Sequence, residues 1–557
     1  MRLQSIYIKE YKQLKEFRID FKNVERSVGQ DPFRFLIGRN GVGKSSLLEA
    51  IGLIFTRMLQ DETPGFAFEV VYTMDVDGRP VTIAARPNDG SDSADLESRL
   101  QVDFTNVEGK KTRLDLRKQP FSQYREYHPR RIIGYASGPT NGFEEILLTS
   151  PVDSIKSDIY DARLGAQEEQ DYDLNLLEIE QSLVNLQHLY EDASYMFIDG
   201  KTSALVLLCL CAAIPSINSD EESQFEDSYI ALRKKLFDMI GGIVPIGVTF
   251  VVDEMRLKEY VEIKPRSMRL EPLIRWMSTH SEQSGDQGVS HAWCISRQKE
   301  SLSDHLFTAT IHKERVAYFP ITEQEENAYH CFGLGLDTHP FELLTMLLIA
   351  KREGLLLDAH LVFKHKQSNR LLFEKALSDG EYFWLGRLGL VLLARSDPSG
   401  DSLFLFDEPD IHLNESWNEQ FVELLHQLSV TPEGTTHNEF LIATHSTLLL
   451  TDVDPDQLYL LERTKEQGTQ VVSLAISTFA ANRVDISKRI FGVTSPIGQY
   501  SRRLLKEKFL SDNKDQLIEL AKKVGPGYYR FRIHSQIEQF EHRQRGGDDN
   551  FTRDEQE

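Results

Sequence analysis

The eight residues GRNGVGKS, at positions 38–45, carry the most specific chemical signal in this chain. They match the pattern G-x-x-x-x-G-K-[S/T] and lie between a predicted strand (33–37) and a predicted helix (45–59). Glycines let successive backbone N–H groups point into one concavity, and the helix start adds the positive end of its dipole. With a lysine and a serine, the pattern is typical of ATP and Mg²⁺ binding. The predicted ATP-binding residues are Gly38, Arg39, Asn40, Gly41, Val42, Gly43, Lys44, Ser45 and Ser46.

A pair of adjacent carboxylates, Asp407 and Glu408, follows four apolar residues in the run LFLFDEP. Such a run predicts a buried strand, so both acids are expected at its carboxyl end. We predict that Asp407 holds Mg²⁺ together with Ser45, and that Glu408 is the catalytic residue that polarises the attacking water. Acidic strand ends are common, and this one is informative because a phosphate-binding loop precedes it.

A histidine ends a third predicted strand, in the run FLIATHST, where apolar residues precede Thr444 and His445. We predict that the His445 imidazole is the second catalytic residue and that it hydrogen-bonds the γ-phosphate. A single histidine in this position is usually structural. The order of the three motifs along the chain is what favours a functional role.

Length and composition limit the other possibilities. A chain of 557 residues is expected to form two or three structural units. The net charge of −23 argues against attraction of the whole surface to nucleic acid, so any such contact must be local. The longest apolar run, 204–214, is shorter than the ~20 residues that a membrane helix needs, and the first residues, MRLQSIYIKEYKQ, do not predict a secretory signal. We therefore expect a cytoplasmic protein, with its four cysteines reduced.

Hydrophobic patterns predict an α/β fold. Alternating residues at 3–21 predict two strands joined at about 11–14, and further alternating runs (FEVVYTMDV and VTIAARP) predict the antiparallel edge of a mixed sheet. In the second half, apolar strands alternate with helices, which predicts a parallel sheet. An apolar stripe from Leu176 to Tyr190 predicts a packed helix rather than a long coiled coil.

A Ser/Gly turn, LSDGE at 377–381, opens an apolar helix 27 residues before Asp407. With this turn in place, the order of motifs resembles the head of ABC-type ATPases, whose signature motif is commonly LSGGQ. The resemblance implies a mixed sheet, a parallel sheet around the phosphate loop and flanking helices. It also implies that Ser378 and Gly380 bind the ATP held by a second copy of the chain. Two ATP molecules would then lie inside a homodimer.

The resemblance covers about residues 1–145 and 340–465 and predicts four parts. These are an N-terminal lobe of the head (1–149), a mostly helical insertion with some strands (150–339), a C-terminal lobe (340–470) and a helical extension that docks a partner (471–557). The sequence departs from the family at one place, because the strand IIGYASGP offers Ser137 where a glutamine usually couples the metal to the outer domain. Slow hydrolysis is the expected consequence. The run EPDIHLN (408–414) resembles the loop that crosses the dimer interface.

Three kinds of ATPase fit this pattern: a self-contained nuclease of the overcoming-lysogenization-defect kind, a DNA repair ATPase similar to RecF or RecN, and an antiphage ATPase whose nuclease is another chain. The first needs a metal-binding nuclease domain after His445. The acidic run nearest to it, DVDPD (452–456), is interpreted as turn and cap residues. We therefore predict no nuclease site in this chain.

The finer resemblance is to the ATPase of Septu antiphage systems, PtuA, and particularly to the form encoded beside retrons. It rests on the stretches MRLQSIYIKEYKQLKEFRIDF, IIGYASGPTNGFEE, FGVTSPIGQYSRRLL and VGPGYYRFRI. It implies an HNH nuclease of the PtuB kind as a partner, and a retron reverse transcriptase with its branched RNA–DNA as a further one. An ATP-glued scaffold with little turnover is the alternative from another functional class.

The C-terminal region carries a locally basic stretch, from Lys488 to Lys508, within an acidic protein. It fits contact with nucleic acid phosphates or an acidic partner, and it fits equally a solvated amphipathic helix. The polar composition of residues 543–557 predicts disorder.

Overall fold

The structure is a computed structural model of the chain. It describes residues 1–21, 32–59, 62–76, 78–88, 100–116, 121, 124–136, 195–198, 202–210, 220–253, 273, 314–320, 339–352, 354–368, 370–395, 401–429, 438–464, 468–474, 476–495, 497–509 and 513–548. The contacts divide the chain into two compact units, Met1–Ala481 and Asn482–Glu557. The four-part division expected from the sequence stays a prediction.

The elements of the described residues are numbered in chain order. The strands are β1 (Arg2–Tyr11), β2 (Leu14–Asp20), β3 (Phe33–Ile37), β4 (Phe68–Val76), β5 (Arg79–Pro87), β6 (Leu100–Thr105), β7 (Lys111–Arg113), β8 (Arg131–Ala136), β9 (Tyr195–Ile198), β10 (Ile243–Asp253), β11 (Glu314–Pro320), β12 (Leu356–His365), β13 (Leu371–Phe373), β14 (Ser402–Asp407), β15 (Glu439–Ala443), β16 (Leu458–Thr464) and β17 (Gly468–Val472). The helices are α1 (Lys44–Met58), α2 (Ser203–Leu210), α3 (Asp220–Met239), α4 (Pro340–Arg352), α5 (Asp379–Arg395), α6 (Glu415–Ser429), α7 (Arg483–Arg489), α8 (Gln499–Phe509), α9 (Lys514–Lys523) and α10 (Tyr528–Asp548).

A seven-stranded sheet forms the centre of the first unit, in the order β17-β16-β3-β15-β14-β8-β9. Every neighbouring pair is parallel except β16 with β17. All residues of β3, β8, β14 and β15 are buried, as expected for strands covered on both faces. The predicted α/β fold class, with two sheets and flanking helices, is confirmed.

The N-terminal strands form a second sheet of their own, in the order β2-β1-β4-β5-β6-β7. The two strands expected at 3–21 are confirmed, since β1 pairs with β2 across a turn at residues 12–13. The expected antiparallel edge of a mixed sheet is wrong, because all six strands are antiparallel and none pairs with the seven-stranded sheet. Alternation shows that one face is buried, and it does not show which strands are neighbours.

A four-stranded antiparallel sheet, in the order β11-β10-β12-β13, lies within the first unit. Strand β12 lies in the second half of the chain, where the alternation of strands and helices predicted a parallel sheet. For β12 this prediction is wrong, because it pairs antiparallel with β10 and β13. Helix α2 packs closely on α5, where Gly386 and Gly389 leave room for it. A Cβ built at Gly389 would lie 2.4 Å from the Leu210 side chain. The stripe from Leu176 to Tyr190 lies outside the described residues.

The second unit consists of α7 to α10 around a small core that includes Leu505, Leu517 and Ile533. Helix α10 runs to Asp548, and the disorder predicted for residues 543–557 stays a prediction. Residues 549–557 lie outside the described part. Among the described residues, no helix combines the length and the apolar character needed to cross a bilayer.

A buried ion pair joins the two larger sheets. Arg34 on β3 contacts Glu439 on β15 at 2.9 Å, and both side chains are at most 10% exposed. The Leu3 backbone of β1 completes the contact, since its N–H donates to Glu439 at 2.8 Å and its carbonyl accepts from Arg34. This pair therefore fixes β1 of the N-terminal sheet relative to the strands that carry the phosphate loop and His445.

We predict that Arg34→Met destabilises the first unit by about 3–5 kcal/mol, because it leaves the Glu439 carboxylate buried without its cation. A denaturant titration of the full chain, followed by circular dichroism, measures the loss. Arg18→Met is the matched control, since Arg18 pairs with Asp20 at the surface, where both side chains are more than half exposed. Its expected cost is within about 1 kcal/mol. Equal costs for the two variants would contradict the role given to the buried pair.

Candidate nucleotide site

The loop between β3 and α1 has the backbone of a phosphate cradle. Gly38, Gly41 and Gly43 have φ values of 147°, 79° and 106°, a region that favours glycine. At Gly38 there is also no space for a side chain, because a Cβ would lie 2.4 Å from the Leu461 carbonyl oxygen. The loop is held from the other side by Thr469, whose hydroxyl donates to the Val42 carbonyl at 2.6 Å. Arg39, Asn40 and Gly41 are exposed.

Lys44 is the first residue of α1, and its ammonium is directed back into the loop. The Nζ atom donates to the Gly38 carbonyl at 3.0 Å, and the side chain is buried. Burial lowers the pKa of Lys44, while Glu408, Asp407 and Asp410 act in the opposite direction. Lys44 thus supplies a positive charge that interacts with the carboxylates of Asp407 and Glu408 at the carboxyl end of β14.

The β1–β2 turn is a contributor that the sequence analysis missed. Its residue Gln13 accepts a hydrogen bond of 2.7 Å from the Ser46 hydroxyl, and Lys12 forms an ion pair with Glu49 of α1. The Ser46 hydroxyl therefore binds the protein itself. No motif marks Gln13, and its role follows only from the pairing of β1 with β2 over the loop.

Asp407 ends β14, directly opposite Ala443 of β15 and Ala136 of β8. It is hydrogen-bonded to Ser45, but its Oδ1 atom is buried without any hydrogen-bond partner. Burial raises the pKa of Asp407 to about 6; Glu408 adds to the rise, and Ser45 and Lys44 oppose it. A carboxylate oxygen and a hydroxyl side by side fit Mg²⁺, which uses few protein ligands and takes the rest from phosphates and water.

Glu408 and His445 form a direct ion pair that the sequence analysis did not anticipate. The His445 Nδ1 atom lies 2.9 Å from the Glu408 carboxylate, and both side chains are partly exposed. This hydrogen bond is the main cause that lowers the pKa of Glu408 and raises the pKa of His445. Glu408 therefore remains ionised, as a residue that accepts a proton from water must be.

Behind this pair, the end of β15 is fixed by a buried hydrogen bond. The Thr444 hydroxyl donates to Asp410 at 2.8 Å, and neither residue has more than a small exposed fraction. Burial raises the pKa of Asp410, whereas the bond from Thr444 opposes the rise. Asp410 is a second residue that the sequence analysis left without a role.

Ser378 and Gly380 lie at the start of α5, away from the residues described above. Ser378 and Glu381 form a capping box, in which the Glu381 carboxylate accepts from the Ser378 N–H at 2.7 Å and from its hydroxyl at 2.9 Å. Gly380 lies against the His412 carbonyl, which would be 2.9 Å from an added Cβ. Among the described residues, no hydrogen bond joins 378–381 to the phosphate loop. Within one chain, the contacts described above connect the loop to Asp407, Glu408 and His445, and they do not include Ser378 or Gly380.

Two further expectations have different outcomes. Asp454 is the N-cap of a short 3₁₀ helix, Pro455–Gln457, and accepts from the Asp456 N–H, which confirms the interpretation of DVDPD as turn and cap residues. Ser137, the residue at the expected coupling position, lies just beyond β8 and outside the described residues. In the described part of the chain, no cluster of three or more His, Cys, Asp and Glu is placed to bind a metal.

Comparison with known proteins gives one family match. Residues 1–206 match the family described as "AAA ATPase domain", which supports ATPase activity in general terms. No curated protein matches the sequence. Among solved structures, the chain is similar to the SMC head domain from Thermotoga maritima, at 13% identity and a TM-score of 0.32, over 86% of this chain and 100% of that one. It is also similar to the Smc head domain with a coiled coil and joint derived from Pyrococcus yayanosii, at 14% identity and a TM-score of 0.31, over 87% of this chain and 98% of that one.

The raised pKa of Asp407 predicts a pH-dependent gain in stability from Asp407→Asn. A carboxyl whose folded-state pKa is raised favours folding at low pH, and this contribution is lost as the pH rises through about 6. Replacement by the neutral amide should therefore raise the melting temperature at pH 8, without nucleotide or metal, by the equivalent of at most ~3 kcal/mol. The gain should shrink between pH 8 and pH 5. Asp75→Asn, at an exposed position of β4, is the control and should show no such trend.

Proposed function

We propose that this chain is an ABC-type ATP hydrolase that uses Mg²⁺ and forms a homodimer around two ATP molecules. One observation supports the proposal above all others. Lys44, which follows β3 and the glycine loop, interacts electrostatically with Asp407 and Glu408 at the end of β14. Glu408 in turn contacts His445, which follows β15. Adjacent parallel strands create such a crevice at their carboxyl ends, where ligands of this fold class bind.

The residues of the site divide the chemistry among them. The N–H groups of residues 38–46 and the Lys44 ammonium bind the phosphates, and the start of α1 adds its dipole. Ser45 and Asp407 would hold Mg²⁺, which would supply positive charge to offset the negative charge that develops on the phosphates. Glu408 would orient the attacking water and accept its proton. His445 holds the Glu408 carboxylate in place through their 2.9 Å hydrogen bond and would also hydrogen-bond the γ-phosphate.

The second half of each site comes from the other copy in this proposal. Ser378 is exposed at a helix start, and its N–H and hydroxyl already bind an anionic group, the Glu381 carboxylate. A phosphate of the partner's ATP can take the place of that carboxylate, because both are oxyanions that accept from the same donors. The lack of hydrogen bonds between 378–381 and the phosphate loop within one chain is what this arrangement requires.

The finer proposal is that the chain serves in a cytoplasmic antiphage complex of the Septu kind. It rests on the resemblance of the quoted stretches to PtuA, including the retron-associated form. In this proposal, the ATPase controls an HNH nuclease of the PtuB kind and associates with a retron reverse transcriptase and its branched RNA–DNA. The second unit is positively charged, since residues 482–548 contain fourteen Lys and Arg but only eight Asp and Glu. A positive charge suits contact with nucleic acid phosphates or with an acidic partner surface.

We predict that two inactive variants restore one another if the ATP site is shared between chains. Lys44→Ala removes the ammonium group that is proposed to bind the phosphates. Ser378→Arg places a bulky side chain in the LSDGE turn at 377–381, which we call the signature turn. Each variant alone should lose at least ~100-fold in ATP turnover. A mixture should recover part of the activity, because a mixed dimer contains one intact pair of loop and turn. Phosphate release measured across mixing ratios tests this, and a mixture as inactive as its parts would contradict the shared site.

The partner is tested by co-purification with the products of neighbouring genes. We predict that the full chain binds a small HNH protein, and that the chain without residues 482–557 does not. Capture of the nuclease supports the antiphage proposal. Hydrolysis stimulated by DNA in the absence of any nuclease would instead support a repair ATPase. Bound ATP with phosphate release at background would favour an ATP-glued scaffold.

A further inference from the structure

A fully buried arginine, Arg387, lies in the middle of α5, two turns beyond the signature turn. Its side chain is 0% exposed, and every residue of α5 from Trp384 to Arg395 is buried. An arginine keeps its charge at any ordinary pH, and a buried charge is costly unless its hydrogen bonds are satisfied. The sequence offers only a faint signal for it, a cation in the middle of an apolar helix that has its other arginine, Arg395, at the last position. Its neighbours therefore decide its role.

Arg387 joins its own helix to two other segments of the chain. Its Nε atom donates to the Tyr135 hydroxyl of β8 at 2.6 Å, and its Nη1 atom donates to the carbonyls of Pro409 and Ile411, the latter at 2.9 Å. The guanidinium also lies 5.0 Å from the Tyr135 ring and 4.9 Å from the Phe383 ring. It thereby connects α5, the helix that begins at the signature turn and is called the signature helix below, to β8 and to the loop that follows Glu408.

The loop that Arg387 binds has a strained backbone. Glu408 has φ of 50°, a left-handed conformation that costs a non-glycine residue roughly 1–2 kcal/mol. The following proline restricts Glu408 further. Two contacts hold this conformation in place: the Glu408 N–H donates to the Ala443 carbonyl at 2.8 Å, and Arg387 binds the carbonyl of Pro409, the next residue. Strain of this kind persists where surrounding contacts determine the backbone.

The signature helix packs on the same loop at two further points. Gly380 lies against the His412 carbonyl, and the Phe383 ring stacks on the His412 ring with centroids 5.1 Å apart. Between these points and Glu408 lies Asp410, which accepts from Thr444, the neighbour of His445. Through these contacts, a displacement of the signature turn would therefore change the positions of the two proposed catalytic residues, Glu408 and His445.

We propose that Arg387 is a positioning residue that holds Glu408 in its catalytic geometry and couples the signature turn to it. The inference rests on the proposed function, because Glu408 is the proton acceptor only there. Arg387 does not contact the phosphate loop, so it contributes to the chemical step and not to binding of ATP. A closed dimer would thus act on Glu408 of the same chain that supplies the signature serine.

Arg387→Lys tests this coupling, because a lysine keeps the charge but cannot bind Tyr135 and both carbonyls in one plane. We expect kcat for ATP to fall by ~10–100-fold, since a displacement of about 1 Å at a reacting group has that effect. The Kd and KM for ATP should stay within a factor of about 3, because the substitution removes no contact to the phosphate loop. A tenfold change in Kd would need a loss of about 1.4 kcal/mol in binding free energy. Steady-state phosphate release and equilibrium binding of a fluorescent ATP analogue measure the two quantities.

The matched control is Arg395→Lys on the same helix. Arg395 is also buried, but it donates to the Gln427 carbonyl of α6 and to Ser228 of α3, away from the loop after Glu408. Its kcat should stay near the wild-type value. An equal fall of kcat in both variants would show general loosening of α5 and overturn the proposal. An unchanged kcat in a folded Arg387→Lys variant would overturn it as well.

Two further variants keep the test decisive. Tyr135→Phe removes one acceptor and leaves the guanidinium and its carbonyl bonds, so it should lower kcat by a few-fold at unchanged KM. If Arg387→Lys does not fold, this variant decides, and an unchanged kcat counts against the proposal. Glu408→Gln separates the two levels of inference. If it retains turnover, the proposed function fails; if it loses turnover while the Arg387 and Tyr135 variants do not, only the coupling fails.

Discussion

The parallel pairing of β3, β15, β14 and β8 is the constraint on which the site depends. In this register Leu36, Ala443, Asp407 and Ala136 lie side by side, so the residues that follow each strand meet at one edge of the sheet. Because side chains alternate between the two faces, a shift of one residue in β14 would carry Asp407 away from Ser45 and Lys44. The strands are buried on both faces, which fixes this register through packing of apolar residues.

The site concentrates features that local rules disfavour. Asp407 has a buried oxygen without a partner, Lys44 is a buried cation, and Glu408 has a left-handed backbone before a proline. Each feature costs free energy in the isolated chain. On the proposed function, an anionic ligand and a divalent cation would lower the cost of the buried Lys44 and Asp407 groups. Sequences that are otherwise consistent violate such rules mainly at functional positions. The coincidence of three violations within one crevice is a physical argument for a ligand, independent of any motif.

Prediction from the sequence succeeded where local chemistry determines structure. The glycines of residues 38–43 need particular φ values whatever surrounds them, and the apolar runs before Asp407 and His445 give buried strands in any α/β protein. It failed where the partners are distant along the chain. Alternation in β4 and β5 could not show that they form a separate sheet, and β12 has the apolar pattern of a parallel strand although it pairs with β10 and β13. The contacts of Arg387 join residues 252 and 22–24 positions apart, which no periodicity reveals.

The separation of the signature turn from the phosphate loop has a consequence for control of the reaction. Within one chain, Ser378 donates to Glu381, so the anion-binding donors of the helix start are satisfied without nucleotide. Exchange of that carboxylate for a phosphate is close to neutral in hydrogen bonds, and its net gain must come from the rest of the dimer contact. On the proposed function, the binding of the partner's ATP by a single signature turn is therefore weak and reversible. Stable dimer contact requires both signature turns to bind the partner's ATP at the same time. Arg387 then couples the binding at each turn to the position of Glu408 in the same chain.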